Sequence, residues 1–516
     1  MFFGKHVRLF TDTPATFTNI EISPCFCASS IKLRIDERED KSISIGSTSN
    51  PALFIVWAII AALFILFFSL KRLPSRKQDI ALEVQELLKL YAAHPQVTAL
   101  DTLLKNDTSR NIFLKGLNGS GPAMTIASLF TKGRGSYVCV LNDQEEAGYF
   151  YHDLMQLTAS NEVYFFPSAY RRAIKYGHVD PANEILRTEV LSRLQDPDAS
   201  FVIVTYPDAL AERVVAREVL KENTLKISVG EKLDNMFVSD VLDEYGFEQV
   251  DYVYEPGQYA LRGSILDVFS FSYEFPYRID FFGDEVETIR TFDVETQLSK
   301  EKLDSIYIVP EMSKNAKDST SLLGSLPRNT FIAARDLAWC KERIGSVWND
   351  DPVVADEESF ADIDQMRKKL VQAEDFLREV LDFRRIHFGA RPMGTADATI
   401  HFSTQTQPIY HKNFDRVSES FHKYLDEGYT LYILSDQEKQ ANRIRMIFED
   451  RGDNIPFTAV NRTIHEGFAD DTLRICFFTD HQLFDRFHKF NLKSDKARSG
   501  KITLSLKELN QFSQDC

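Results

Sequence analysis

Residues 254–285, YEPGQYALRGSILDVFSFSYEFPYRIDFFGDE, hold two extended runs with a turn signal at almost every end. Pro256-Gly257 opens the first run, which is rich in Leu, Ile, Val and Phe. The second run, 277–282, closes at Gly283-Asp284. Runs of this type bounded by Gly, Pro and Asp pair as strands. Alternation then sorts the second run into two faces. Tyr277, Ile279 and Phe281 point one way and suit a core, while Arg278, Asp280 and Phe282 point the other. A large aromatic beside an arginine on the polar face has the make-up of a binding anchor. The same pattern also fits a plainer arrangement, with Phe282 packed under a loop and Arg278 paired with Asp280.

The stretch resembles the UvrB-homologous, UvrA-binding module of the bacterial transcription-repair coupling factors. Two motifs carry the resemblance: E-x-G-x-Y-x-x-R-G at 255–263 and P-Y-R-I-D-F-F-x-D-E at 276–285. The similarity runs from about Leu87 to the C-terminus. It implies that Arg262, Arg278 and Phe282 contact UvrA, as the matching family residues do. Thr479-Asp-His-Gln-Leu-Phe-Asp-Arg486 likewise resembles the T-D-H-x-x-F-x-R signature that precedes the family's polymerase-binding domain. Residues 504–515 resemble the first residues of that domain. By this resemblance the sequence matches the N-terminal half of a coupling factor, ahead of the ATP-driven DNA translocase. RNA polymerase, most DNA contacts, and ATP with magnesium would then belong to downstream family domains, with no cofactor in this stretch.

A second signal lies at 111–131. An apolar run at 111–114 leads into a glycine-rich turn at Gly116, Gly119 and Gly121, then into a helical pattern. Strand, glycine-rich turn and helix is the layout of a phosphate-binding loop. Its chemistry is missing. Pro122 stands where a lysine should reach the β/γ-phosphates, and Ala123 where a hydroxyl should ligate Mg²⁺. Proline also removes a backbone N–H from the cradle. The turn is expected to be inactive and the stretch to hold no catalytic residue. This agrees with the resemblance, since the family's module is a UvrB copy that does not hydrolyse ATP. The enzyme-class alternative, an ATP-dependent helicase or excision subunit, would need the two missing groups.

Apolar strands expected at 137–141, 163–166, 201–205 and 331–334 alternate with helices, for example at 143–157 and 183–194. Such alternation implies a parallel sheet with helices on both faces. The expected fold class is α/β: a degenerate P-loop, UvrB-like domain, an inserted α+β interaction domain, and a second small α/β domain. The boundaries read from the pattern are a polar extension at 1–50, an apolar span at 51–71, and a first α/β half at 80–223. The insert follows at 224–310, the second half at 311–393, the second α/β domain at 396–492 and a linker from 493. Residues 357–387 read as a charged surface helix, with Asp436 as a cap for a helix over 437–449.

The run at 52–70 is nineteen residues long, uncharged, and followed by Lys71, Arg72, Arg76 and Lys77. It is long enough to span hydrocarbon as a helix, with everything after it cytoplasmic. A membrane-tethered adaptor is therefore an alternative reading, set against the cytoplasmic location implied by the resemblance. The formal net charge of −16 disfavours the phosphate backbone as a main partner. Six cysteines lack the paired spacing of a zinc site, and no metal is expected.

Overall fold

The computed structural model describes residues 83–486, apart from 107–108, 159, 161, 170–180, 197, 272, 274, 311–318, 350–366 and 454. It also describes three strands in the first 82 residues. Residues 1–79 and 80–516 form separate units. In the first unit, Ile20–Pro24, Ile31–Ile35 and Ser42–Ile45 pair as an antiparallel meander where irregular chain is expected from composition. The apolar run at 52–70, the basic tail at 493–501 and the residues at 504–515 lie outside the described residues. Among the described residues, no helix is long and apolar enough to cross a membrane.

Near-continuous apolar runs build the largest sheet of the second unit. Tyr137–Val140, Val202–Thr205 and Phe331–Ala334 are buried at every position, as strands covered on both faces must be. The seven parallel strands run in the order Ala398–His401, Asn111–Lys115, Arg384–His387, Phe331–Ala334, Tyr137–Val140, Val202–Thr205, Val163–Phe165.

The position of Arg384–His387 corrects the surface-helix reading of 357–387. Residues 357–366 lie outside the described ones; beyond them the helix Ala373–Leu381 buries Phe376 and Val380. The chain then enters the sheet between Asn111–Lys115 and Phe331–Ala334. Its two arginines disguise the strand because they work as cross-braces. Arg384 donates to the Leu103 and Leu104 carbonyls (2.9 and 2.8 Å), and Arg385 donates to the Leu381 carbonyl (3.1 Å).

A five-stranded sheet follows, in the order Thr404–Thr406, Phe468–Asp470, Ile475–Thr479, Thr430–Leu434, Thr458–Val460. Its Phe468, Phe477 and Tyr432 join the same hydrophobic core as the seven-stranded sheet. The helix Glu438–Asp450 is preceded by Gln437 rather than capped by Asp436; Gln437 N–H donates to Ser435 Oγ instead (3.2 Å).

The stretch at 254–285 sits in a six-stranded sheet. The order is Glu248–Gln249, Gln258–Arg262, Ile265–Val268, Tyr277–Phe282, Glu285–Phe292, Ser299–Leu303, all antiparallel after the first pair. One face packs Leu266, Tyr277, Ile279 and Phe281 against Val238 and Leu242 of the helix Asn235–Glu244. The opposite face buries Ala260, Phe269 and Phe292 with Ile185 at one end only. Toward the other end that face carries Arg262, Asp267, Arg278 and Asp280, with Phe282 at its tip.

Candidate docking surface and glycine-rich turn

Two tight hairpins form the other end of the six-stranded sheet. Arg262 pairs with Ile265 across Gly263-Ser264, and Phe282 pairs with Glu285 across Gly283-Asp284. Gly263 and Gly283 have φ of 64° and 68°, while Ser264 and Asp284 stay at negative φ. Glycine first in a two-residue loop makes a type II′ turn, whose twist matches the flanking strands. The tips are joined side by side, because Phe281 N–H donates to the Ser264 carbonyl (2.8 Å).

Strand alternation places the outward face of this strand as expected: Arg278 and Asp280 are half-buried, and Phe282 is exposed. Phe282 is 79% exposed, so it does not pack under a loop. Arg278 does not pair with Asp280 either. Its partner is Asp267, directly across on the adjacent strand. Arg278 Nε and Nη2 donate to the two Asp267 oxygens at 2.7 and 2.8 Å, and Nη1 reaches the Gln297 carbonyl at 3.3 Å. Its guanidinium also lies over the Phe292 ring (4.3 Å). Asp280 is taken by Arg290 and Thr288 (2.5 and 2.7 Å).

Asp267, which the sequence patterns do not single out, is the residue that joins the two arginines. It is fully buried, and Arg262 also donates to it. Arg262 further donates to the Asp251 carbonyl (2.7 Å) and lies over the Tyr252 ring (5.0 Å), with 35% of its side chain exposed. One buried carboxylate therefore holds two guanidiniums, each with part of its fork already in place. The available signal was a lone aspartate inside the apolar run Ile-Leu-Asp-Val, since a buried charge needs a cationic partner.

The glycine-rich turn has a different character. Pro122 and Ala123 fall in the first turn of the buried helix Gly121–Thr131, with no lysine or hydroxyl at those positions. The backbone donors of the turn at Asn118 and Ser120 go to the chain itself. Asn118 N–H donates to Thr404 Oγ1 (2.8 Å), and Ser120 N–H donates to the Glu466 carbonyl (3.0 Å). Glu466 N–H donates back to Ser120 Oγ (3.0 Å). The contact is close: a Cβ on Gly119 would meet the Gly467 and Glu466 carbonyl oxygens at 2.9 and 3.0 Å, and one on Gly116 would meet the Phe402 carbonyl at 2.2 Å. Buried Asp153 accepts from Ser120 Oγ (2.5 Å) and from His465 N–H (2.6 Å). Burial pushes the Asp153 carboxyl up to about 7, against the lowering effect of those two hydrogen bonds. Beside it lies a cavity of about 320 Å³. Its wall includes Tyr149 stacked on His465 (3.6 Å between centroids) and the Arg335–Glu146 pair (3.1 Å).

Residues 225–313, which contain the six-stranded sheet and its paired tips, match the family model described as UvrB interaction domain. Over wider spans the chain is homologous to transcription-repair-coupling factors. It is 29% identical to that of Escherichia coli strain K12 over 222 residues, which cover 43% of this chain and 19% of the relative. Against that of Haemophilus influenzae strain ATCC 51907 it is 32% identical over 192 residues, 36% of this chain and 16% of the relative. Against that of Staphylococcus aureus strain bovine RF122 it is 22% identical over 489 residues, 78% of this chain and 41% of the relative. The chain thus spans well under half the length of these curated relatives.

Proposed function

We propose that this chain is a non-catalytic recruitment module of transcription-coupled nucleotide excision repair, which docks UvrA on the hairpin end of its UvrB interaction domain. The observation that carries the reading is Phe282, a large aromatic held out on a rigid tip beside arginines fixed by one buried carboxylate. Phe282 is the apolar anchor. Arg262 presents its exposed edge to carboxylates or carbonyls of the partner. Arg278 both borders the surface and braces it. Truncating a central anchor of this kind costs ~2 kcal/mol or more, roughly 30-fold in affinity.

RNA polymerase and DNA are further partners under this reading, engaged through regions such as the coupling factors carry beyond the matched span, and the site of action is the cytoplasm. The glycine-rich turn does not act as a nucleotide site, because its donors already hold Thr404 and Glu466. The uncharged run at 52–70 favours a second, compatible reading in which the module is tethered to a membrane. Carbonate-resistant membrane association of the full chain tests that tether.

Calorimetric titration of the full chain into UvrA tests recruitment. Binding that is lost in the Arg262→Ala/Arg278→Ala/Phe282→Ala variant, with folding checked by circular dichroism, is the expected outcome. Unchanged binding in a folded triple variant overturns the assignment.

A further inference from the structure

We infer that Met236 and Phe237 form a second apolar contact for the same protein partner, at the hairpin end that also carries Phe282; this rests on the recruitment reading above. Both residues open the helix Asn235–Glu244, and they are 67% and 52% exposed. They contribute little to packing that helix, because Val238 and Leu242, both fully buried, already face the sheet. The first helical turn is where acidic side chains are favoured, yet it holds none here. Two large apolar side chains in that place have no explanation in the fold.

Their position supplies one. The helix start is stitched to both hairpin tips. Leu233 N–H donates to the Asp284 carbonyl (2.8 Å), and the Lys232 backbone pairs antiparallel with that of Glu285, beside Phe282. Asn235 Nδ2 donates to the Gly263 carbonyl (3.2 Å), next to Arg262. Asp234 caps the helix through Met236 N–H (3.0 Å), which fixes the backbone that carries Met236 and Phe237. Phe282, Met236 and Phe237 therefore sit at one end of the sheet, with Phe282 on the face opposite the helix. Together they expose on the order of 400 Å² of apolar surface, about half of one side of a standard interface, to a partner that covers that end from both faces.

The chemistry of the occupant follows from the border. Asp234, Asp240, Asp284 and Glu285 surround the apolar side chains in sequence, and the whole chain is acidic. Aromatics at such a border would stack nucleic-acid bases only against repulsion of the phosphates. That end of the sheet fits a protein face with apolar hollows for Phe282 on one side and for Met236 and Phe237 on the other, rimmed by acceptors for Arg262. Met236 and Phe237 widen the contact beyond the arginines and Phe282.

The test compares the full chain, its Met236→Ala/Phe237→Ala variant and an Ile409→Ala/Met446→Ala control. The control removes two exposed apolar side chains (68% and 63%) from elsewhere. Each is titrated into UvrA by calorimetry and melted by circular dichroism. The expected result is affinity about tenfold or more weaker for the 236/237 variant alone, the scale of losing part of a hot-spot cluster, with melting unchanged. Wild-type affinity in that variant overturns this surface while recruitment stands. Failure of the wild-type chain to bind UvrA overturns the recruitment reading and this surface together.

Discussion

Asp267 and Arg278 face each other in register on adjacent strands, and two hydrogen bonds of 2.7 and 2.8 Å join the buried carboxylate to the guanidinium fork. Removing one member of a buried pair leaves the other charge without compensation, which is far more costly than the pair's own net contribution. Arg278→Ala is therefore expected to lower stability on the order of 3 kcal/mol, softened by Arg262, which still reaches Asp267. Arg278→Lys should recover only part, because an ammonium cannot make the two-pronged contact. Urea unfolding followed by circular dichroism reads both effects.

Phe282 behaves oppositely. With 79% of its surface in solvent, it contributes little to the fold. Phe282→Ala should leave urea unfolding within about 0.5 kcal/mol of wild type and weaken UvrA binding roughly 30-fold. A variant that loses stability and keeps affinity would reverse the roles assigned here to Phe282 and Arg278.

Restoring the missing side chains should not restore a nucleotide site. The Pro122→Lys/Ala123→Thr variant supplies a lysine and a hydroxyl, but Ser120 N–H remains committed to the Glu466 carbonyl and Asn118 N–H to Thr404. Neither wild type nor this variant should bind a fluorescent ATP analogue saturably. Saturable binding by the variant would show that the turn can release its internal partners.

Asp153 makes the contact beside the turn sensitive to pH. Its carboxyl titrates near 7 in the folded protein and near 4 when unfolded. The folded state therefore holds a proton that the unfolded state has lost. The resulting stabilisation is fully present below about pH 4 and is lost as pH rises through about 7. Melting temperature should fall from pH 5 to pH 8 by more in wild type than in Asp153→Asn, whose amide cannot ionise. Equal slopes in differential scanning calorimetry would remove Asp153 as the source.

Local patterns carried much of the fold. Val202–Thr205 and Phe331–Ala334 were legible because strands covered on both faces must be apolar throughout. The outward side of Phe282 was legible because alternation in Tyr277–Phe282 is strict in burial despite a register shift at Asp280/Phe281. Arg384–His387 was hidden because its arginines brace the last carbonyls of two helices from inside a sheet, which looks like a solvated surface in sequence. Asp267 was hidden for the reverse reason: one carboxylate in an apolar run reveals its role only when the fold brings Arg262 and Arg278 to it. The partnership of Ser120 with Glu466 spans 346 positions, and no local pattern encodes it.

That last partnership has a mechanical consequence. In a working phosphate cradle the amides are vacated whenever the ligand leaves, so the turn alternates between two states. Here the ligand is the chain's own backbone at Glu466, and it cannot diffuse away. A pull on the Phe468–Asp470 strand is delivered through Glu466, Ser120 and Asp153 to the helices of the seven-stranded sheet, with no slack to take up first. A turn with the layout of an exchange site serves here as a rivet.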